Sequence, residues 1–396
     1  MTDTALVRRA SIADAAAARA PSDVAPSLSA CLLPIDGLDI AQWRALSERA
    51  IEPNGYYLAN WMLAVNASAP GRTGASALAV WDSSPSRRLA GLAPVVSLRR
   101  AFRIPLPALI SAHPYGTLCT PLIDRAQPEA AAGLLQAART SGAHALILRE
   151  SSLEGEAMRV LEAVALRQGL APRVLQSHRR AALDATREAE MLLHDALGRK
   201  KLKELRRQRH RMEEHGAVSF AVARTPQDVA SATEIFLKLE ASGWKGKRGT
   251  ALIQRAGDAA FIRRATVALA EQGQCEIIAL RSGETPVAAG IVLRQAKRAF
   301  FFKLGVDERF AKFSPGVQLT LDLTRHLCAD PLTTSADSTA SPDHPMINPI
   351  WRDRFAIGDV LIPLRRNDPM VEVIHAALIA RQTLRSLARR VVRGQR

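Results

Sequence analysis

The stretch that most constrains the fold is residues 298–327, RAFFFKLGVDERFAKFSPGVQLTLDLTRHL, which reads as strand, basic loop and helix in one unbroken run. The apolar and aromatic residues at 299–304 suit a strand, and Gly305 ends it where a kink would free backbone groups. Ser314 is placed to cap a helix, Pro315 fills a first helical position that needs no N–H, and Gly316 lets a ligand approach the backbone. A helix opened this way aims bare N–H groups and the positive end of its dipole at the loop, where Arg309 and Lys312 add full charges. Phosphate or pyrophosphate is the occupant this chemistry suits. The plain alternative is a well-capped helix after a strand, with no ligand at all.

A chain of 396 residues exceeds one ordinary core, so two domains are expected. Its 47% apolar and 23% charged residues are those of a globular protein, and no run approaches the ~18 apolar residues of a spanning helix. Residues 1–27 carry arginines without an apolar core and read as a flexible leader, not a secretory signal. Cys31, Cys119, Cys275 and Cys328 lie far apart with no C-x-x-C pair, which points to free thiols, no metal site and a cytoplasmic location. The formal charge of +16 is concentrated: residues 199–215 hold eight Lys/Arg against three Glu, and residues 365–396 hold eight Arg against Asp368 and Glu372. The rest is mildly basic, so no general DNA-binding surface is required.

Taken in order, the chain predicts β-α-α-β-β-β-α-β-α-β, then a long basic helix at 192–215, then the same order again. The second round uses a helix opened by Pro226, a helix ended by Gly273, a hairpin about Ser282, Gly283 and Glu284, the 298–327 run, a short strand TTSAD, a helix at 346–355 and a strand DVLIPLR. The recurrence implies an internal duplication. The expected units are the leader 1–27, a first module 28–185, a linking helix 186–216, a second module 217–368 and an Arg-rich helix 369–396. In that last helix Val373, Ala377, Ala380, Leu384, Leu387 and Val391 share one face and Arg381, Arg385 and Arg389 another. It either packs on its own protein or meets an anionic membrane surface or a partner.

Four motifs, KKLKELRRQRHRMEEHG, FLKLEASGWKGKRGTAL, FKLGVDERFAKFSPGVQL and ADSTASPDHPMINPIWRDR, resemble the CelD-like acetyltransferases of cellulose biosynthesis, a branch of the GNAT superfamily related to the FemAB peptidyltransferases. The resemblance spans about residues 32–366. It implies an α/β (α+β) fold of tandem GNAT-like modules, each a mixed, mostly antiparallel sheet flanked by helices. It implies acetyl-CoA or another acyl-CoA as donor, held by Lys303, Leu304, Gly305, Lys312, Phe313, Ser314, Pro315, Gly316 and Val317. The usual glycine-rich pattern of the superfamily is reduced here to Gly316. In the first half HPYGTLCTPLIDRA stands where such a loop would be, so the first module is expected to bind no cofactor.

Acyl transfer needs a base, a donor to the thioester carbonyl and an acid for the thiolate. A bulge near Lys303–Gly305 would supply the carbonyl donor. His344 is the candidate base, with Asp343 or Asp337 orienting it; capping and loop roles are the alternatives. Tyr56, Tyr57 and Tyr115, the chain's only tyrosines, all fall in the first half, so another group is expected to serve as acid. The loop holding Trp244, Lys245, Gly246, Lys247 and Arg248 would take an anionic acceptor or the CoA 3′-phosphate. The basic helix at 199–211, Arg206 included, reads as solvated, as a contact for CoA phosphates or an anionic acceptor, or as a tRNA contact, though it lacks stacking aromatics. The resulting expectation is an acyltransferase acting on an amine or hydroxyl of a small-molecule or sugar acceptor, plausibly in cellulose or exopolysaccharide biosynthesis. The alternatives are an aminoacyl-tRNA-dependent peptidyltransferase and a non-catalytic assembly protein of a polysaccharide system.

Overall fold

The computed structural model describes residues 28–84 and 87–394, without the side chains at 244, 245 and 388–394; the expected leader lies outside them. The first half runs β1 (Ser29–Pro34), α1 (Ile40–Arg49), α2 (Ala59–Ser68), β2 (Ser76–Trp81), β3 (Leu89–Ser97), the short α3 (Leu98–Phe102), β4 (Ala108–Ser111), β5 (Leu122–Ile123), α4 (Ala130–Thr140), β6 (Ala145–Ser152), α5 (Glu156–Arg167) and β7 (Arg173–Asp184). Then α6 (Ala189–Glu213) leads to β8 (Val218–Ala223), α7 (Pro226–Ser242), the single turn α8 (Trp244–Lys247), α9 (Ala256–Ala270), β9 (Cys275–Ser282), β10 (Thr285–Gln295) and β11 (Arg298–Val306). The chain ends through α10 (Pro315–Cys328), β12 (Ser335–Asp337), β13 (Asp353–Pro363) and α11 (Pro369–Gly394).

Apolar residues on both sides of the central strands force a sheet covered on both faces. In β9, Ile277 and Ala279 enter a core with α2, α7 and α9, while the alternating Ile278 and Leu280 enter another with α6 and α10. The strands form one sheet in the order β1-β2-β3-β4-β6-β13-β7-β12-β11-β10-β9-β8, with β5 beside β3. Its two parallel pairs among the described strands are β4 with β6 and β11 with β12, each joined through a helix, α4 or α10. The duplication is therefore visible in space, as two modules of like strand order meeting at the middle of the sheet.

The expected module boundaries do not divide that sheet. β7, from the first half, pairs with β12 of the second, and β13, from the second half, pairs with β6 of the first. Each half lends its last strand to the other, and β7 and β13 also pair along most of their length. Tyr56, Leu58 and Trp61 from the first half share a core with Phe236 and Phe261 from the second. The buried Trp61 ring meets Phe302 at 4.8 Å and Phe261 at 5.0 Å, both edge to face.

Three local expectations change. Residues 346–350 form turns, and Phe355 lies in β13, so the helix expected at 346–355 is absent. Pro345 and Pro349 explain this, since the residue before each proline, His344 or Asn348, is driven away from helical backbone. The basic helix α6 breaks at Gly198, whose φ of 70° no regular helix accepts. In α11 the covered stripe is Val371, Ile374 and Leu378, packed on Ile110, Ile147 and Leu361, while Val373, Leu384 and Leu387 face outward. The period was right and the phase wrong, because the phase is set by the surface it meets. None of the helices among the described residues is long and apolar enough to cross a membrane.

Candidate active site

β11 and β12 are paired only from Arg298 to Phe300 against Ser335 to Asp337, and beyond that the two strands part. The opening is a cleft of about 570 Å3 between β11, the start of α10 and the loop 338–347. Opposite it, β11 pairs with β10 through a register shift: Val292 faces Phe301 and Ile291 faces Lys303, so Phe302 is the extra residue of a bulge. The bulge falls just before the expected position at Lys303. Gly305 has a different task from the one expected, because a Cβ there would lie 2.7 Å from the Glu240 backbone N, so it allows α7 to close on the strand.

At the mouth of the cleft α10 begins as foreseen at Pro315. Ser314 occupies the cap position, yet its side chain caps nothing and its backbone is left-handed at φ 54°. Gln318 N–H bonds Ser314 O, leaving the N–H groups of Gly316 and Val317 without a partner among the described residues. A non-glycine residue held in this region stores strain, which clusters at ligand sites. The loop before it, 308–313, is a short 3-10 turn capped by Asp307, and Arg309 is taken up by that carboxylate at 2.7 Å. Asp307 is correspondingly held below its ordinary value, first by its bond from Arg309. Of the two charges expected at the loop, Lys312 alone has no ion pair among the described residues, its amine lying over the Phe313 ring.

The far wall is built by both modules. Thr339, at φ 49°, donates its hydroxyl to Phe301 O at 2.6 Å and its N–H to Asp337 Oδ1 at 2.9 Å, and it accepts at its carbonyl from the Thr117 hydroxyl at 3.1 Å. Asp337 in turn is gripped by Arg180, with Nε at 2.7 Å from one oxygen and Nη2 on the other. Arg180 also donates through Nη1 to Thr117 O and Oγ1, and the ion pair is almost wholly buried. Both carboxylate oxygens of Asp337 are thus spent on holding the splayed strands, which corrects its expected role as the orienter of His344.

Of the residues expected at the site, Lys303, Leu304, Ser314, Pro315, Gly316, Val317 and His344 line the cleft. Phe313 is instead buried in the α6 and α10 core, Asp343 is exposed on the loop, and Arg206 stands on the exposed face of α6. His344 accepts at Nδ1 a long bond from Met346 N–H at 3.4 Å, which puts the proton of the neutral ring on Nε2 and makes that nitrogen a donor. Lys247 bridges to Glu308, a residue of the cleft rim, at 2.9 Å, so the 244–248 turn docks at the site's edge. The side chains of Trp244 and Lys245 lie outside the described residues.

The sequence reading missed two further contributors. Glu240 lies on the covered face of α7, fully buried, accepting Leu252 N–H at 2.9 Å and facing the Lys303 amine at 3.4 Å. A carboxylate four residues after Phe236 on an apolar helix face was the available signal. Tyr115, expected to take no part because it falls in the first half, reaches the Lys303 side of β11. It stacks on Phe261, with the Lys303 amine 5.9 Å from its ring and Arg72 on the ring at 4.2 Å. Burial, then Asp258, hold its phenol above the ordinary range, so it carries its proton at neutral pH.

The site is thus a parallel pair that opens beside a bulged strand, with bare N–H groups at its mouth. Residues 199–338 match the acetyltransferase (GNAT) domain family. That match holds β11, α10 and β12, the three elements of the cleft. No curated protein sequence matches the chain. Among solved structures, the C-terminal domain of a protein described as a lysylphosphatidylglycerol synthetase from Agrobacterium fabrum superposes at TM-score 0.53 and 15% identity, over 86% of this chain and 95% of its own. FemX does so at 0.54 and 11%, over 85% and 98%. The L-PGS of Bacillus licheniformis does so at 0.50 and 13%, over 86% and 96%. At such identities the likeness speaks for the fold, and the fold is the tandem GNAT arrangement that the sequence implied.

Proposed function

We propose that the protein is an acyltransferase of the CelD-like GNAT kind, taking an acetyl or longer acyl group from acyl-CoA to an amine or hydroxyl. The observation that carries this is the cleft between β11 and β12 with the unpartnered Gly316 and Val317 N–H groups at its mouth. These donors, with Lys312 nearby, suit the pyrophosphate of coenzyme A. Phe301, Leu304, Val306 and Met346 give the apolar walls that a pantetheine arm needs. Bound there, acyl-CoA supplies an activated thioester. The bulge at Phe302 frees backbone groups of β11 from the ladder for its carbonyl, and the His344 Nε2–H would donate a hydrogen bond to the departing thiolate, whose proton comes from the acceptor by way of Glu240 and Tyr115.

The acceptor is proposed to enter from the opposite side of β11, where Lys303, Glu240 and Tyr115 gather between the modules. There Glu240 is the group able to take a proton, and the proton-bearing Tyr115 can donate. Calorimetric titration with acetyl-CoA tests the reading. Binding is expected for the unmodified protein and a loss of at least about tenfold for Gly316→Trp, whose ring has no room beside Leu304 and Met346. Unchanged binding in that variant would remove the donor from this cleft.

A second reading is favoured by α6, where Arg199, Lys200, Lys201, Lys203, Arg206, Arg207 and Arg211 are all exposed. That surface suits a polyanion, and an aminoacyl-tRNA donor would show tRNA binding that falls steeply with salt. A role in cellulose or exopolysaccharide assembly, and docking of the chain to a membrane surface or partner through the outward face of α11, belong to the same proposal.

A further inference from the structure

A second cleft lies on the first-module side of the sheet. About 450 Å3 of space lies between α11 and the adjacent strands β4, β6, β13 and β7. Its two ends differ in chemistry. At one end Arg149, Arg381 and Arg385 converge, and a contiguous recess adds Arg72 and Arg100. Arg149 and Arg381 flank the same Phe102 ring, their guanidinium carbons 5.5 and 3.5 Å from its centre. None of Arg149, Arg381 and Arg385 forms an ion pair among the described residues, although the chain has carboxylates for many of its other arginines. Burial, then Arg385 and Arg149, lower Arg381, which shows that the group is crowded by its own kind. Three guanidinium groups without an ion pair among the described residues repel one another, and a multivalent anion between them relieves that cost.

At the other end stand two carboxylates. Asp359 sits at a bulge in β13 and accepts Glu150 N–H at 2.8 Å and Gln176 Nε2 at 2.7 Å. Glu150 is held at φ 43°, and its own carboxyl takes no hydrogen bond from the described residues while lining the cleft. His178 and Gln176 complete this end. Carboxylates and amides in a recess are acceptors for hydroxyl groups, whereas the arginine forks suit phosphate oxygens. A ligand that is dianionic at one end and polyhydroxylated at the other satisfies both.

We propose that the first-module cleft binds a phosphorylated saccharide, its phosphate on Arg149, Arg381 and Arg385 and its hydroxyls on Glu150 and Asp359. The site is separate from the proposed donor cleft and does not depend on it. The two are neighbours nonetheless, because the loop 338–347 gives Thr339 and His344 to one and Pro342 to the other. A saccharide seated here would lie against the loop whose position the Arg180–Asp337 pair fixes.

Calorimetric titration of the full chain with glucose 1-phosphate, mannose 1-phosphate, inorganic phosphate and free glucose tests this. At least one hexose phosphate should bind about tenfold or more tightly than inorganic phosphate, with free glucose silent. Arg381→Gln with Arg385→Gln should weaken it by about tenfold or more while leaving any acetyl-CoA titration unchanged. Both side chains reach the surface of α11, so the melting temperature should hold; Arg149→Gln is the second probe from the strand side. Glu150→Gln should narrow the gap between hexose phosphate and inorganic phosphate and leave the latter unaltered. The proposal is overturned if no phosphate compound binds at millimolar concentration, or if the arginine variants bind as the unmodified protein does. Equal affinity for inorganic phosphate and both hexose phosphates would overturn the saccharide end.

Discussion

Asp337→Asn isolates what the buried Arg180–Asp337 pair contributes. The change keeps shape and one acceptor oxygen, but it turns an NH2 towards the Arg180 guanidinium and leaves a positive charge with no counter-charge in a site from which water is excluded. Removing one partner of such a pair costs about 3–5 kcal/mol. Two bonds from Nη1 to Thr117, at 2.6 and 2.9 Å, survive the change, so the lower half of that range is the expectation. Urea unfolding followed by tryptophan fluorescence reads it, since Trp43, Trp61 and Trp351 are all fully buried. The midpoint should fall with little change in slope. The double replacement Arg180→Met with Asp337→Leu removes both charges and should recover most of the stability, because the desolvation cost goes with them. It should not recover the cleft, because the Thr339 N–H loses Asp337 Oδ1 and Thr117 loses Arg180. A loss under about 1 kcal/mol for Asp337→Asn would refute the account of the pair as the clamp between modules. Full stability with turnover alone abolished would return Asp337 to the chemistry.

His344→Ala should lower turnover with acetyl-CoA affinity unaltered, and a rate that does not change removes the ring from the mechanism. Trp61→Ala should cost about 3–5 kcal/mol in urea unfolding, since its ring fills the core shared by both modules. Glu276 supplies a pH test: burial raises its carboxyl, but His326, Arg294 and Arg224 outweigh that and hold it down to about 2. A depressed carboxylate stabilises the fold above its unfolded value near 4.5 and loses that contribution as pH falls towards 2, so stability should decline over that window. Glu276→Gln should flatten the acid limb, and an unchanged limb would assign it to other groups. Deleting residues 370–396 should lower the melting temperature as well as any docking function, because Val371, Ile374 and Leu378 bury α11 against Ile110, Ile147 and Leu361.

Local chemistry made much of this legible. Pro226 opens its helix as residue type dictates, the turn at Gly283 and Glu284 closes its hairpin, and the strand, loop and helix of 298–327 lie where pattern placed them. What stayed hidden depends on pairs far apart in the chain. Nothing local in DVLIPLR says that β13 pairs with β6 about two hundred residues earlier, with Ile357 against Ser152. The same distance hid Tyr115 and Arg180, which carry no motif and reach the site only because the halves exchange strands. That exchange also decides what kind of device the site is. A cleft whose wall hangs from Thr117 and Arg180 of one half and opens against β11 of the other is complete only when both modules are folded, so the first module holds the loop of the cleft whether or not it binds a ligand of its own. The second module alone would keep Gly316 and Val317 while Asp337 lost its clamp.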